Sequence, residues 1–133
     1  MHPLRVRWAE IDVQGIVFNA HYLMYMDVGV TEYFRFLSDG NPASLQTITS
    51  NMYVVKTAID FHSSAKFDDL IDVGVRTARF GKSSTALTFE IYRAQEHLIT
   101  GNSTYVYAPA SQSAPIPQSF RDLVLARELV APQ

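Results

Sequence analysis

The chain has no cysteine among its 133 residues. Disulfides, thiolate metal ligands and a cysteine nucleophile are therefore all excluded. It also lacks any apolar run approaching the roughly 20 residues that span a bilayer. Met1 to Arg5 passes straight into a patterned segment, with no signal-peptide apolar region. The expectation is a soluble, cytoplasmic protein with no membrane partner. No charge of one sign dominates: 11 Lys and Arg stand against 13 Asp and Glu, a net charge of -2. The overall charge gives no reason to expect a nucleic-acid partner. The histidines His2, His21, His62 and His97 are scattered, without metal-ligand spacing, so no metal site is expected. There is no internal repeat, low-complexity block or interdomain linker.

What is present is globular in composition, with 47% hydrophobic and 18% charged residues. The length points to a single domain over residues 1–133. A chain this small often gains further stability by associating.

Leu4 to Ile11 alternates imperfectly, with Leu4, Val6 and Trp8 on one side and Arg5 and Arg7 on the other. It reads as a short strand. Asp12-Val13-Gln14-Gly15 then reads as a turn. From about His21 to Leu37 apolar side chains cover nearly the whole circumference of a helix, which should be buried. Asn19 stands where an N-cap belongs, and Ser38 to Pro42 ends the helix with turn formers. Four strands follow, at Met52–Phe61, Leu70–Phe80, Thr85–Arg93 and Leu98–Ala108, separated by polar turns. The shortest of these turns imply antiparallel pairing. Ala110 to Gln118 is loop-like, and Phe120 to Val130 reads as a terminal helix. One long apolar helix needs cover, and a curved antiparallel sheet of about five strands supplies it. The fold class is α+β.

The most informative stretch lies between Val6 and Arg35. A carboxylate, Asp12, sits in a turn shortly before the apolar helix. Gly15 lets the loop bend tightly or lets a ligand approach the backbone. The helix start offers unpaired N–H groups and a positive dipole end. These parts suit ester or thioester hydrolysis: the amides can stabilise an oxyanion, and the carboxylate can attack or activate water. The same residues also satisfy a plainer reading, in which Asp12 is only a turn former.

The run Asp12-Val13-Gln14-Gly15-Ile16-Val17-Phe18-Asn19-Ala20-His21-Tyr22 resembles the signature of the 4-hydroxybenzoyl-CoA thioesterase group of the hotdog superfamily, which includes the YbgC-like thioesterases. Thr31-Glu32 continues that helix pattern. Ile59-Asp60-Phe61, Phe67-Asp68-Asp69-Leu70 and Phe80-Gly81-Lys82-Ser83-Ser84 also match the group's spacing. The resemblance covers roughly residues 4 to 108 and implies a hotdog fold, a helix wrapped by an antiparallel sheet. It implies hydrolysis of a small acyl-CoA or aromatic acyl-CoA to free acid and CoA. It matches Asp12 to the catalytic aspartate and the backbone N–H near Asn19 to the group that polarises the carbonyl. It matches Asp27 to an acidic helix position near the acyl group, and it places Gly15, Ile16, Val17 and His21 with the substrate. It implies no cofactor, since coenzyme A is part of the substrate. It also implies a homodimer at least, commonly a dimer of dimers (a homotetramer), with sites between subunits.

The chain departs from that pattern in places. Many YbgC-like members carry His where this chain has Asn19, and Asn or Ser where it has His21. His62-Ser63 stands where relatives often have Arg-Pro. His21 reads equally as a substrate contact and as a first-turn helix residue. Lys82, with Ser83 and Ser84, reads either as a contact to a CoA phosphate or as a solvated hairpin turn; the glycine spacing of a P-loop is absent. Two other readings stay open. One is an acyl-carrier-protein thioesterase, which the few basic residues disfavour because that carrier is acidic. The other is a non-catalytic acyl-CoA-binding module.

Overall fold

A computed structural model describes residues 1–128 and 132–133. Its main elements are β1 (His2–Arg5), α1 (His21–Leu37), α2 (Gln46–Thr49), β2 (Met52–Phe61), β3 (Leu70–Phe80), β4 (Ser84–Arg93), β5 (Glu96–Tyr107) and α3 (Gln118–Arg127). Short 3-10 turns occupy Trp8–Glu10, Pro42–Leu45 and Pro109–Ser111. The strands form one sheet in the order β1-β3-β4-β5-β2. β1 pairs antiparallel with β3, His2 opposite Val73 and Arg5 opposite Leu70. The β3–β4 and β4–β5 neighbours are joined by connections too short for a crossover, so they too run antiparallel. The expected α+β class, one long helix with a five-stranded antiparallel sheet, is what the chain adopts.

The chain divides into two compact units. The first is Met1–Glu32, Ile59–Val75 and Phe89–Gly101; the second is Tyr33–Ala58, Arg76–Thr88 and Asn102–Gln133. The core of the first unit gathers Val6, Val17, Tyr22, Tyr25, Ala65, Ile71, Val73, Ile91, Leu98 and Ile99. Alternation along β3 and β4 explains this: Ile71 and Val73, then Phe89 and Ile91, all point the same way off a pleated strand. α1 comes very close to β3 at Gly29, where an added Cβ would lie 2.7 Å from Val73 Cγ1 and 2.9 Å from Val75 Cγ2. The second unit buries Leu37, Leu45, Leu87, Ile116, Phe120 and Val124. There Tyr33 donates its hydroxyl hydrogen to Glu128, and the Thr77 amide donates to the same Glu128 oxygen at 2.9 Å. A cavity of about 40 Å³ between Phe34, Met52, Leu87, Tyr105 and Phe120 is too small for an acyl group of more than a few carbons.

Several expectations need correction. β1 stops at Arg5, and Trp8–Glu10 is a 3-10 turn rather than strand. The cause is Glu10, whose carboxylate takes both the Arg7 amide at 2.8 Å and the Arg7 guanidinium at 2.7 Å and so closes the turn. Trp8 is turned outward, 72% exposed, and meets Phe67 edge-on at 5.3 Å. α1 has the expected bounds but is not buried all round. Tyr22, Tyr25, Met26, Val30, Tyr33 and Leu37 form one buried stripe at helical spacing, while Leu23 and Phe36 are exposed on other faces. The terminal helix runs Gln118–Arg127, and Leu129 and Val130 lie outside the described residues.

Candidate active site

Residues 10–18 fold into a small hairpin. The Phe18 amide donates to the Glu10 carbonyl at 3.0 Å, Ile11 and Val17 form an antiparallel bridge, and the Asp12 amide donates to the Ile16 carbonyl at 2.9 Å. The tip closes when the Gly15 amide donates to the Asp12 carbonyl at 3.0 Å. Gly15 has φ +78, a left-handed conformation that a side chain disfavours, so glycine is the residue this tip requires. Asp12 itself is half-buried. Its Oδ1 accepts the Gln14 amide at 2.8 Å, the side-chain-to-backbone bond of an Asx turn. Among the described residues its Oδ2 takes no hydrogen bond and remains available to a reacting group.

The hairpin is also braced from outside. The Val17 amide donates to the Ala65 carbonyl at 3.0 Å, and the Ala65 amide donates to the Tyr22 hydroxyl at 3.1 Å. The Ala65 loop is held in turn by Arg93, which reaches Asp69 at 2.5 Å and the Ser64 carbonyl at 3.2 Å.

At the helix start the amides of His21, Tyr22 and Leu23 donate to the carbonyls of Phe18, Asn19 and Ala20 at 2.9, 3.3 and 3.3 Å. That leaves the amides of Asn19 and Ala20 without an acceptor among the described residues. Ala20, not Asn19, immediately precedes α1, so the expected cap position is displaced by one residue. Asn19 is exposed, seven positions beyond Asp12 on the same continuous segment.

The other expected site residues divide into groups. Ile16 is half-buried and supplies the carbonyl that pairs with Asp12. The Val17 side chain is in the core, so its contribution to the hairpin is its backbone and not a surface for a ligand. His21 opens α1 and packs edge-on against Phe18 at 6.2 Å, as its first-turn reading has it. Asp27 is exposed on α1, two turns into the helix. Lys82, Ser83 and Ser84 belong to the second unit. Lys82 is exposed at its hairpin, and the turn is held by its carbonyls: Arg121 donates to those of Gly81 and Lys82 at 2.5 and 2.8 Å, and the Tyr107 amide to that of Ser83 at 2.8 Å.

Two features were missed by reasoning from sequence. Glu10 is buried beneath the hairpin; the signal available was Arg7 three residues before it, which the strand reading hid. His97, which the sequence shows only as one of four scattered histidines, is half-buried: it pairs with Glu90, stacks on Tyr92 at 4.6 Å and lies 4.6 Å from the His62 ring. Among the described residues no group of three or more His, Asp or Glu is arranged to hold a metal ion, and no helix is long and apolar enough to cross a membrane.

The chain is similar to named proteins. It is 39% identical over 72 residues to the acyl-CoA thioesterase YbgC of Haemophilus influenzae, 53% of this chain and 52% of that one. The match thus spans about half the length of that relative. It is 23% identical over 97 residues to the acyl-CoA thioester hydrolase YbgC of Escherichia coli O157:H7, covering 73% and 72% of the two chains. Its fold superposes on that of a Thermus thermophilus thioesterase solved with coenzyme A and Zn, with a TM-score of 0.83, 28% identity and coverage of 95% and 92%. A thioesterase-superfamily protein from Jannaschia sp. CCS1 has the same TM-score, 0.83, at 18% identity, which speaks to the fold alone. The family model described as the thioesterase superfamily matches residues 14–100, from just beyond Asp12 through the Gly15 tip and α1 into β5. With its hotdog fold and that match over well over half its length, the chain belongs to the thioesterase superfamily.

Proposed function

We propose that this protein hydrolyses acyl-CoA thioesters to a free acid and CoA, with Asp12 as the reacting carboxylate. The observation that carries this reading is the divided use of Asp12: Oδ1 builds the Asx turn while Oδ2 stays unengaged among the described residues. In the general-base route Oδ2 removes a proton as water attacks the thioester carbonyl. The C–S bond then breaks and the proton passes to the departing thiolate. In the nucleophilic route Oδ2 attacks the carbonyl, the thiolate leaves, and water hydrolyses the resulting anhydride. In both routes negative charge develops on the carbonyl oxygen, and the unpaired amides of Asn19 and Ala20 are the donors suited to it. The relatives named as acyl-CoA thioesterases support the same substrate class. The reaction needs no cofactor beyond the CoA of the substrate, and the reading carries a cytoplasmic location with it.

The functional unit in this reading is a homodimer at least. β2 is the last strand of the sheet and is exposed along most of its length, with Tyr53 54% and Val55 61% exposed. A ten-residue exposed edge strand rich in apolar residues invites pairing with another strand, and a second copy of β2 supplies one.

Thiol release measured across short, long and aromatic acyl-CoAs tests the assignment, with Asp12→Asn as the control. Turnover of at least one acyl-CoA by the wild type, lost in the variant, is the expected result. Binding without thiol release would make the protein a non-catalytic acyl-CoA-binding module instead. Turnover only of acyl groups on carrier protein would move the substrate class.

A further inference from the structure

The hydrolytic scheme makes no use of Glu10, yet Glu10 is the acidic residue placed most deliberately near Asp12. It is 2% exposed. Oε1 accepts the Arg7 amide and the Tyr25 hydroxyl, each at 2.8 Å. Oε2 accepts Arg7 Nε at 2.7 Å, with Arg7 Nη2 at 2.6 Å. The Glu10 carbonyl accepts the Phe18 amide that closes the base of the Asp12 hairpin, at 3.0 Å. One residue therefore joins three parts: the 3-10 turn that enters the hairpin, the buried face of α1, and the returning arm that leads to Asn19.

An apolar side chain here would leave the buried Tyr25 hydroxyl and the Arg7 amide without their acceptor. What a saturated carboxylate adds is direction. Each donor fixes one oxygen, and the four contacts together leave Glu10 little freedom to move. Burial pushes its carboxyl up, but the Arg7 amide, the Tyr25 hydroxyl and the Arg7 guanidinium outweigh that and hold it below the ordinary range, in the ionised form that the four contacts need.

We propose that Glu10 is the positioning residue of the Asp12 hairpin, tying it to Arg7 and Tyr25 so that the Asp12 carboxylate is presented to the thioester in a productive orientation. The inference rests on the reading of Asp12 as the reacting group. Glu10 touches no substrate; it acts through Ile11, the one residue between it and Asp12. Misplacement of about 1 Å is enough to cost on the order of 100-fold in rate.

The test uses the full chain and the acyl-CoA turned over fastest, comparing wild type with Glu10→Gln, Tyr25→Phe and Asp12→Asn. The folded fraction of each is measured by urea unfolding at the assay temperature. Glu10→Gln sets an amide NH₂ against the Arg7 donors, and Tyr25→Phe removes one oxygen atom from a fully buried residue. Expected is a fall in kcat per folded molecule of roughly 10- to 100-fold for Glu10→Gln and a smaller one for Tyr25→Phe, with KM within about twofold of wild type. The double variant should lose less than the product of the two. Should Glu10→Gln fail to fold, Tyr25→Phe decides alone. A loss confined to the folded fraction, or to KM, overturns the positioning role while an inactive Asp12→Asn leaves the catalytic reading standing. Wild-type turnover by Asp12→Asn overturns the catalytic reading, and this inference with it.

Discussion

One added methyl group tests the helix–sheet contact at the centre of the first unit. At Gly29 a Cβ would meet Val73 Cγ1 at 2.7 Å and Val75 Cγ2 at 2.9 Å. Ordinary contacts between carbon atoms lie at about 3.5–4.0 Å, so the methyl overlaps two neighbours at once. Both are β-branched and stiff at χ1, and both lie on β3, where Val73 is held in register opposite His2. Neither valine can turn aside as a methionine would. The expected overpacking cost is about 2 kcal/mol, within the usual 1–3 kcal/mol. Alanine in place of glycine inside a helix returns about 1 kcal/mol. Gly29→Ala should therefore destabilise by about 1 kcal/mol, a fall of about 3–5 °C in Tm for a chain of this size. Val73→Ala removes the nearer methyl, so Gly29→Ala combined with Val73→Ala should cost less than the sum of the two by about 1 kcal/mol. Urea unfolding at constant m-value measures both. Stabilisation of the single variant by about 1 kcal/mol, helix propensity acting alone, would refute the close approach of α1 to β3.

Four further outcomes follow from the site and the sheet edge. Asp12→Asn should remove most turnover, by about 100-fold or more, while Tm changes little, because an Asn side-chain oxygen still accepts the Gln14 amide; thiol release beside thermal melts reports both. Gly15→Ala should cost about 1–2 kcal/mol because of its φ of +78, and Gly15→Asn less, as read by urea midpoints. Glu10 has its carboxyl lowered in the folded state from an ordinary value of 4.5. The stability it contributes is thus complete above about pH 4.5 and is lost as pH falls below that, and Glu10→Gln should flatten this acid limb in a plot of urea midpoint against pH. Val55→Glu, on the exposed edge of β2, should weaken self-association by more than about tenfold in sedimentation; an unchanged oligomer would show that β2 is not the pairing edge.

Much of the fold was legible because its signals are local. α1 and β3 have the bounds that their periodicity and turn formers mark: Tyr22, Tyr25, Met26, Val30 and Tyr33 recur at helical spacing, and Ile71 and Val73 alternate with Asp72. The failures share a physical cause. β2 is rich in apolar residues, yet it is exposed along most of its length as the outermost strand of the sheet. Likewise Leu23 and Phe36 made α1 look buried all round. Hydropathy reports that a side chain favours burial, and does not report whether the fold supplies it with a partner.

The site shows a different limit. Asp12 was legible as a turn former and, separately, as a catalytic carboxylate, and these looked like competing readings. The geometry makes the two compatible, because a carboxylate has two oxygens: one completes the Asx turn and the other takes no hydrogen bond among the described residues. A turn that consumes one lone-pair direction also restricts the side chain's rotation, so the constraint that makes Asp12 structural is the one that would aim it. Glu10 was illegible for the converse reason. Within a segment read as a strand it showed no partner, and its contacts appear only when Arg7 and Tyr25, three residues before and fifteen after, are brought onto it by the turn and the helix. Polar residues whose partners are tertiary leave little local trace. The residues that support a turn are therefore harder to read from one sequence than the turn itself.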